Sequence, residues 1–260
     1  MSHIIRHIPH SSMVMPGAHR DQFILSDTEL DFELLQMTDR YTDELFDDLP
    51  GVAVTFPVSR LVVDVERFEE DHLEPMSSRG MGALYQQTHD RRPLRPTLSA
   101  EDRELLLDQF YRPHHQALEA AVERALLAHG GALLIDCHSF PSRALPYEMF
   151  DHQTRPEIGI GTDSSHTSEV LATKAVMAFA RRGFSVALNK PFPGTLTPLK
   201  FYGRETRVQS VMIEVRRDLY MDEATGEKLT GFGVLKAQIG MAVRELTAAR
   251  TIGRGAVGMA

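Results

Sequence analysis

Ala132-Leu133-Leu134-Ile135-Asp136-Cys137-His138-Ser139 decides how this chain is read. A short apolar run that ends in an acid and a histidine sets two ionisable side chains at the carboxyl end of a buried strand. That edge is where open α/β sheets hold their ligand crevice. With a period of two, Asp136 and His138 share one face and Cys137 takes the other. A buried strand that ends in two ionisable groups needs a partner for each of them. A second strand end carries another histidine: Ile4-Ile5-Arg6-His7-Ile8 alternates and stops at Pro9-His10-Ser11-Ser12. His10 and His138 can converge at one sheet edge, and converging neutral imidazoles are the usual ligands of a catalytic zinc. The alternative for His10 is a loop histidine bonded to backbone.

Outward from these two strands the chain alternates. Ser26-Asp27 caps a helix whose apolar positions Leu30, Leu34, Leu35, Met37, Tyr41, Leu45 and Phe46 predict one long element, ended by Pro50-Gly51. Val52-Ala53-Val54-Thr55-Phe56 and Leu61-Val62-Val63-Asp64-Val65 read as one strand or two. Residues 69–96 hold Pro75, Gly80, Gly82, Pro93 and Pro96 among many charges and read as a long irregular excursion. Ser99 caps a helix to about Tyr111. Pro113 opens a second, running from His114 to His129 and stopped by Gly130-Gly131. Residues 140–165 carry few regular signals. Further elements are a helix over 168–182, strands over 185–189 and 211–215, and a final amphipathic helix over 234–249. Alternation of this kind predicts an α/β fold, with helices on both faces of a mainly parallel or mixed sheet.

At 260 residues without a linker-like stretch, the chain is expected to form a single domain over 1–260. A net charge of −8 and a pI near 5.8 argue against a nucleic-acid partner. No apolar run approaches the roughly 18–20 residues that span a bilayer, and the first residues lack a basic-then-apolar signal pattern, so no membrane partner is expected. The single cysteine, Cys137, excludes an internal disulfide and fits a reducing cytoplasm. As a nucleophile it is disfavoured, because it faces away from Asp136 and His138.

A catalytic zinc takes a third protein ligand, often a carboxylate, and leaves one position open. Asp39 and Asp43, four apart on the expected helix, share one face. With Glu44, Asp47 and Asp48 close by, a solvated acidic surface is the alternative. Glu214 interrupts the apolar Val211-Met212-Ile213 and Val215. It needs its charge matched, by a metal site or by Arg216 and Arg217. A carboxylate facing a zinc-bound water is the general-base arrangement of metallohydrolases. Arg60 and Arg67 flank the expected strand at 61–65 and suit bidentate capture of carboxylates.

Five blocks resemble the N-formylglutamate amidohydrolases (N-formylglutamate deformylases). They are Pro9-His10-Ser11-Ser12, the Asp39 block from Thr38 to Phe46, Ser59-Arg60-Leu61-Val62-Val63-Asp64-Val65-Glu66-Arg67, Asp136-Cys137-His138-Ser139, and the Glu214 block from Ile213 to Met221. They stand in the family's order and span most of the chain. The resemblance implies a three-layer α/β/α fold with a central mixed sheet, similar to zinc carboxypeptidases and aspartoacylases, with the metal at the strand ends. It implies one Zn²⁺ per chain on His10, Asp39 and His138, with Glu214 as catalytic base and Arg60 and Arg67 holding the carboxylates of a small acyl amino acid. It also implies a place in histidine degradation. Arg143 or Tyr202 is the expected oxyanion donor. Three positions depart from the pattern: Met13 stands where carboxypeptidases carry a ligand glutamate, Glu66 replaces the asparagine common before the second arginine, and residues 193–200 lack the usual Gly-Gly turn with its arginine. Another metal-dependent amidase on this scaffold, or a non-catalytic binder of small acidic ligands, remains the alternative.

Overall fold

The computed structural model describes residues 3–149 and 155–247. Six strands form one sheet: β1 (Ile4–Ile8), β2 (Val52–Thr55), β3 (Ala132–Phe140), β4 (Ile158–Gly161), β5 (Val186–Leu188) and β6 (Val208–Arg216), in the order β2-β1-β3-β6-β4-β5. All neighbours run parallel except β4 against β6, so the sheet is mixed. β3 and β6 occupy its centre, and every residue of β3 is buried. That accounts for a continuous apolar run rather than an alternating one.

The helices are α1 (Asp27–Met37), α2 (Thr42–Leu45), α3 (Ala100–Leu106), α4 (Arg112–His129), α5 (Glu169–Ala180) and α6 (Phe232–Thr247). On one face of the sheet, Leu118, Val122 and Ala125 of α4 pack on Ile5, Leu134 and Val208. On the other, Ala175 and Phe179 of α5 and Ile239 and Val243 of α6 pack on Ile135, Ile160 and Ile213. Alternate residues of one strand therefore serve two cores, and the result is the expected helix–sheet–helix sandwich.

Three elements differ from the sequence reading. The first helix ends at Met37, Thr38 turns extended and Tyr41 takes a left-handed backbone (φ 67°) before the short α2. Apolar spacing carries across this break because both pieces face the core. Asp39 and Asp43 consequently do not share a helix face. The Asp39 N–H donates to the His10 carbonyl at 2.9 Å, which pins the break beside the end of β1.

Residues 61–65 form a turn, not a strand, although all five side chains are fully buried. Their backbone is satisfied from outside any ladder: Asp64 N–H donates to Ala83 O, and the buried Arg95 guanidinium donates to the carbonyls of Leu61 and Val62. β-branching there reports burial rather than extension. Arg60 and Arg67 thus flank a turn.

β4 lies inside the stretch that carried few regular signals. Its glycines hide it from propensity. Gly159 pairs in register with Glu214, and a Cβ there would meet Lys190 O at 2.8 Å and the Glu214 Cβ at 3.1 Å. Only glycine lets the 190s loop pass this close to Glu214. No helix among the described residues is long and apolar enough to cross a membrane.

Candidate active site

The sheet topology brings the singled-out residues to one place. His10 lies two residues past β1, while His138 on β3 and Glu214 on β6 are Cα partners across the central pair. Pairing in register points both side chains to the same face. The His10 and His138 rings stand 5.2 Å apart between centroids. They line a cavity of about 620 Å³ together with Asp39, Arg60, Glu66, Arg67, Asp136, Glu214 and Arg217.

Each imidazole is anchored by one buried carboxylate. His10 Nε2 meets Asp64 Oδ1 at 2.8 Å, and His138 Nε2 meets Asp136 Oδ1 at 3.1 Å. Both aspartates are almost wholly buried, at 0% and 1% exposure. Although burial alone raises them, Arg60 and His10 bring Asp64 well below the usual carboxylate range, and His138 and His7 do the same for Asp136. Both are therefore ionised acceptors that fix a proton on Nε2 and leave Nδ1 for another partner.

His10 Nδ1 is buried and has no hydrogen-bond partner. Asp39 Oδ2 lies 3.7 Å from it and 3.0 Å from His138 Nδ1. The other oxygen, Oδ1, accepts from Arg217 Nη2 at 2.9 Å. Burial opposes ionisation of Asp39, yet contacts with His10 and His138 and the charge of Arg217 hold it well below its ordinary value. Asp43, the other acid considered, is solvent-exposed.

Glu66 also enters the cluster, with Oε2 at 3.7 Å from His10 Nδ1 and 3.1 Å from His138 Nε2. Among the described residues, two sets of three donors lie mutually within 4.8 Å and could hold a metal ion: His10, Glu66 and His138, and His7, Glu66 and Asp136. Asp39 belongs to neither set, although its Oδ2 approaches the Nδ1 atoms of both site histidines.

Glu214 is 6% exposed, and its Oε2 is buried without a partner. Removal from water pushes it up to about 8. The charge on His138 opposes this, whereas Asp39 and Glu66 add to it. A carboxyl near neutrality beside imidazoles is the profile of a general acid–base group.

The two arginines are unequal. Arg60 donates to Asp64 Oδ2 from Nη2 at 2.7 Å and from Nε at 3.2 Å, and Nε also donates to Tyr85 Oη. Arg67 has only long ion pairs, 3.6 Å to Asp64 and 3.9 Å to Glu74, and its buried Nε has no hydrogen-bond partner. Of the expected oxyanion donors, Tyr202 lines the cavity with its hydroxyl donated to Asp163 at 3.0 Å, while Arg143 is exposed and does not line it. Cys137 is fully buried on the opposite face, where loss of water pushes its thiol far up, so it is no nucleophile. From the sequence, Asp136 could orient a ligand imidazole or pair with an arginine, and it meets His138 and His7; the anchoring roles of Asp64 and Arg217 were missed. An acid inside an otherwise apolar run was the available signal for Asp64.

These features define an α/β protein with a buried imidazole–carboxylate cluster at the carboxyl ends of its central strands. The chain belongs to the N-formylglutamate amidohydrolase family, whose model matches residues 2–221. It is similar to N-formylglutamate deformylases of Pseudomonas putida (28% identity, 83% of this chain and 80% of that one) and Pseudomonas aeruginosa (29%, 82% and 81%). In fold it is similar to the crystal structure of N-formylglutamate amidohydrolase from Ralstonia eutropha JMP134, with a TM-score of 0.79 at 24% identity over 94% of this chain and 91% of that one. An Agrobacterium tumefaciens protein of known structure matches at a TM-score of 0.61 and 20% identity, over 94% and 92% of the two chains.

Proposed function

We propose that the protein is a zinc-dependent amidohydrolase that removes a formyl group from an acidic amino acid such as N-formyl-L-glutamate, releasing formate and the free amino acid. The observation that carries this reading is His10 Nδ1, buried and unpartnered, facing the same Asp39 oxygen as His138 Nδ1. An ion bonded at about 2 Å to each of three atoms needs them roughly 3–3.7 Å apart. Asp39 Oδ2 meets that spacing to each histidine nitrogen, whereas the two nitrogens lie more than 4.8 Å apart, so binding an ion would draw the two rings together around it. Two imidazoles and a carboxylate form a donor set suited to zinc, and each histidine already has the outer carboxylate that fixes its tautomer.

His10, Asp39 and His138 are therefore the residues that would hold the ion. Glu66 is assigned instead to the pocket wall, because His138 Nε2, which it approaches, is already matched by Asp136. A bound zinc ion would polarise the scissile carbonyl and make a water acidic enough to attack near neutrality. Glu214 accepts the proton that the attacking water loses and returns it to the departing amine nitrogen, so one carboxyl serves both halves of the reaction. Arg67 binds a substrate carboxylate with its free guanidinium edge, and Arg60, fixed by Asp64, supports that wall. Holding the substrate by this anchor sets its formyl carbon beside Glu214.

The test is metal analysis of the purified chain beside hydrolysis assays on N-formyl-, N-acetyl- and aminoacyl-glutamate. About one zinc per chain with formate release supports the reading. Zinc with a preference for another acyl group identifies a different amidase on the same scaffold. A chain that takes up no zinc from metal-replete buffer and turns over none of the three is a binder of small acids.

A further inference from the structure

Behind the cluster lie two buried histidines that the reaction leaves idle. His7, on β1, is 0% exposed, and His114, on α4, is 6% exposed. They are joined to the site through Asp136. His7 Nδ1 stands 2.8 Å from Asp136 Oδ1, the oxygen that also meets His138 Nε2, and His7 Nε2 stands 2.9 Å from His114 Nε2. The remaining oxygen of Asp136 accepts from the Leu196 N–H at 2.9 Å. Thus the order His114, His7, Asp136, His138 forms one continuous hydrogen-bonded chain from α4 through β1 to the centre of the sheet.

The donors in that chain follow from elimination. An ionised carboxylate only accepts, so the protons at Asp136 sit on His7 Nδ1 and His138 Nε2. The facing Nε2 atoms of His7 and His114 share one proton, which sits on His114 when His7 carries only its Nδ1 proton and on His7 when both its nitrogens are protonated. His114 is held neutral: burial, with His7 and His115 nearby, lowers it to about 2. Each link therefore has one donor and one acceptor, and a link without that match leaves two protons or two lone pairs in contact inside the core. Such a contact is strongly unfavourable where water cannot intervene.

We propose that His7 and His114 are positioning residues for the metal centre: acting through Asp136, they keep the His138 proton on Nε2 and its Nδ1 turned to Asp39 and the ion. This role rests on the zinc-site reading given under Proposed function.

The test uses the full chain and two pairs of variants. His7→Leu removes the donor to Asp136, whereas His7→Asn keeps an amide N–H near the place of Nδ1. His114→Leu removes the hydrogen-bond partner of His7 Nε2, whereas His114→Gln keeps an amide that can donate or accept there. Zinc affinity is measured by competition with a chelating dye, kcat on a turned-over substrate is followed alongside, and imidazole ¹⁵N–¹H correlations on the metal-free protein report tautomers. The expected results are a His7→Leu affinity lower by about 10- to 100-fold, a smaller loss in His114→Leu, and recovery of most of the affinity in His7→Asn and His114→Gln. The metal-free wild type should show His7 protonated at Nδ1 and a single proton between the Nε2 atoms of His7 and His114.

If His7→Leu fails to fold, the His114 pair decides by the same readout. Opposite tautomers, or folded leucine variants with wild-type zinc affinity, overturn the proposal. A wild-type chain with no zinc affinity at all overturns the zinc reading and this role together. Normal affinity that ignores both histidines overturns this role alone.

Discussion

Asp39 and Glu66 lie equally far from His10 Nδ1, and what separates them is what else each carboxylate does. Asp39 is 2% exposed, with one oxygen held by Arg217 and the other left to face two imidazole nitrogens. The Glu66 side chain is 17% exposed and approaches the ring nitrogen that Asp136 already occupies. Asp39→Ala is accordingly expected to abolish stoichiometric zinc, while Glu66→Gln keeps it. Elemental analysis of the two variants decides, and the reverse pattern would move Glu66 into the donor set. Glu214 touches none of the three donors among its hydrogen bonds, so Glu214→Gln should retain zinc. Its turnover should fall by about 100-fold or more, the range for a lost general base; a near-normal kcat on a confirmed substrate would remove Glu214 from the mechanism. Arg67→Ala should raise KM far more than it lowers kcat, because an anchor used equally in ground and transition states acts on binding. Arg60→Ala should instead destabilise the fold, since it strips the buried Asp64 of its main counter-charge.

At the level of elements, capping chemistry was more legible than element length. Ser26 accepts from the Glu29 N–H and the Glu29 carboxylate accepts from the Ser26 N–H, a capping box on an exposed helix start. Ser26→Ala should lower unfolding stability by about 1 kcal/mol in a urea titration with no change in kcat. A null effect would mean that α1 is held by packing alone. The sequence signals for β1, β3, β6, the capped starts of α1 and α3 and the span of α5 were local, and those elements stand where they were expected. What was not legible depended on contacts from distant residues. The break before α2 exists because Asp39 docks on His10, the turn at 61–65 is held by Arg95, and β4 is a strand through its pairing with β6. The site divides in the same way. Strand-end residues His10, His138 and Glu214 announced themselves by interrupting apolar runs. Asp136 was legible as a neighbour of His138 on one strand face, whereas Asp64 could not be assigned to His10 until the turn at 61–65 was known.

For the whole molecule, the buried His114 and half-buried His115 on α4 make stability depend on acid. Burial lowers His114 to about 2 and His115 to about 4, from an ordinary value of 6.5. Both folded values lie below the unfolded one, so between roughly pH 4.5 and 6.5 the unfolded chain binds two protons that the folded chain refuses. Glu214, raised to about 8, works the other way in this window, because its folded form keeps a proton that the unfolded glutamate has lost. His138, raised above 6.5, is protonated in both states there and adds no slope. The balance among these groups is one extra proton on the unfolded chain, so the metal-free protein should lose about 1 kcal/mol for each pH unit from 6.5 down to 4.5. The histidine part of that stabilisation is complete at pH 6.5, and above it the raised Glu214 and His138 lower stability again as pH climbs through their folded values. His115 is the group to remove, because it lies outside the His7–His114 contact and packs its ring against Tyr111 at 4.3 Å. In His115→Gln the two remaining groups cancel, and urea midpoints between pH 4.5 and 6.5 should become nearly flat. A variant as acid-sensitive as the parent would show that His115 titrates normally in the folded chain, and that the acid response arises elsewhere in the sandwich.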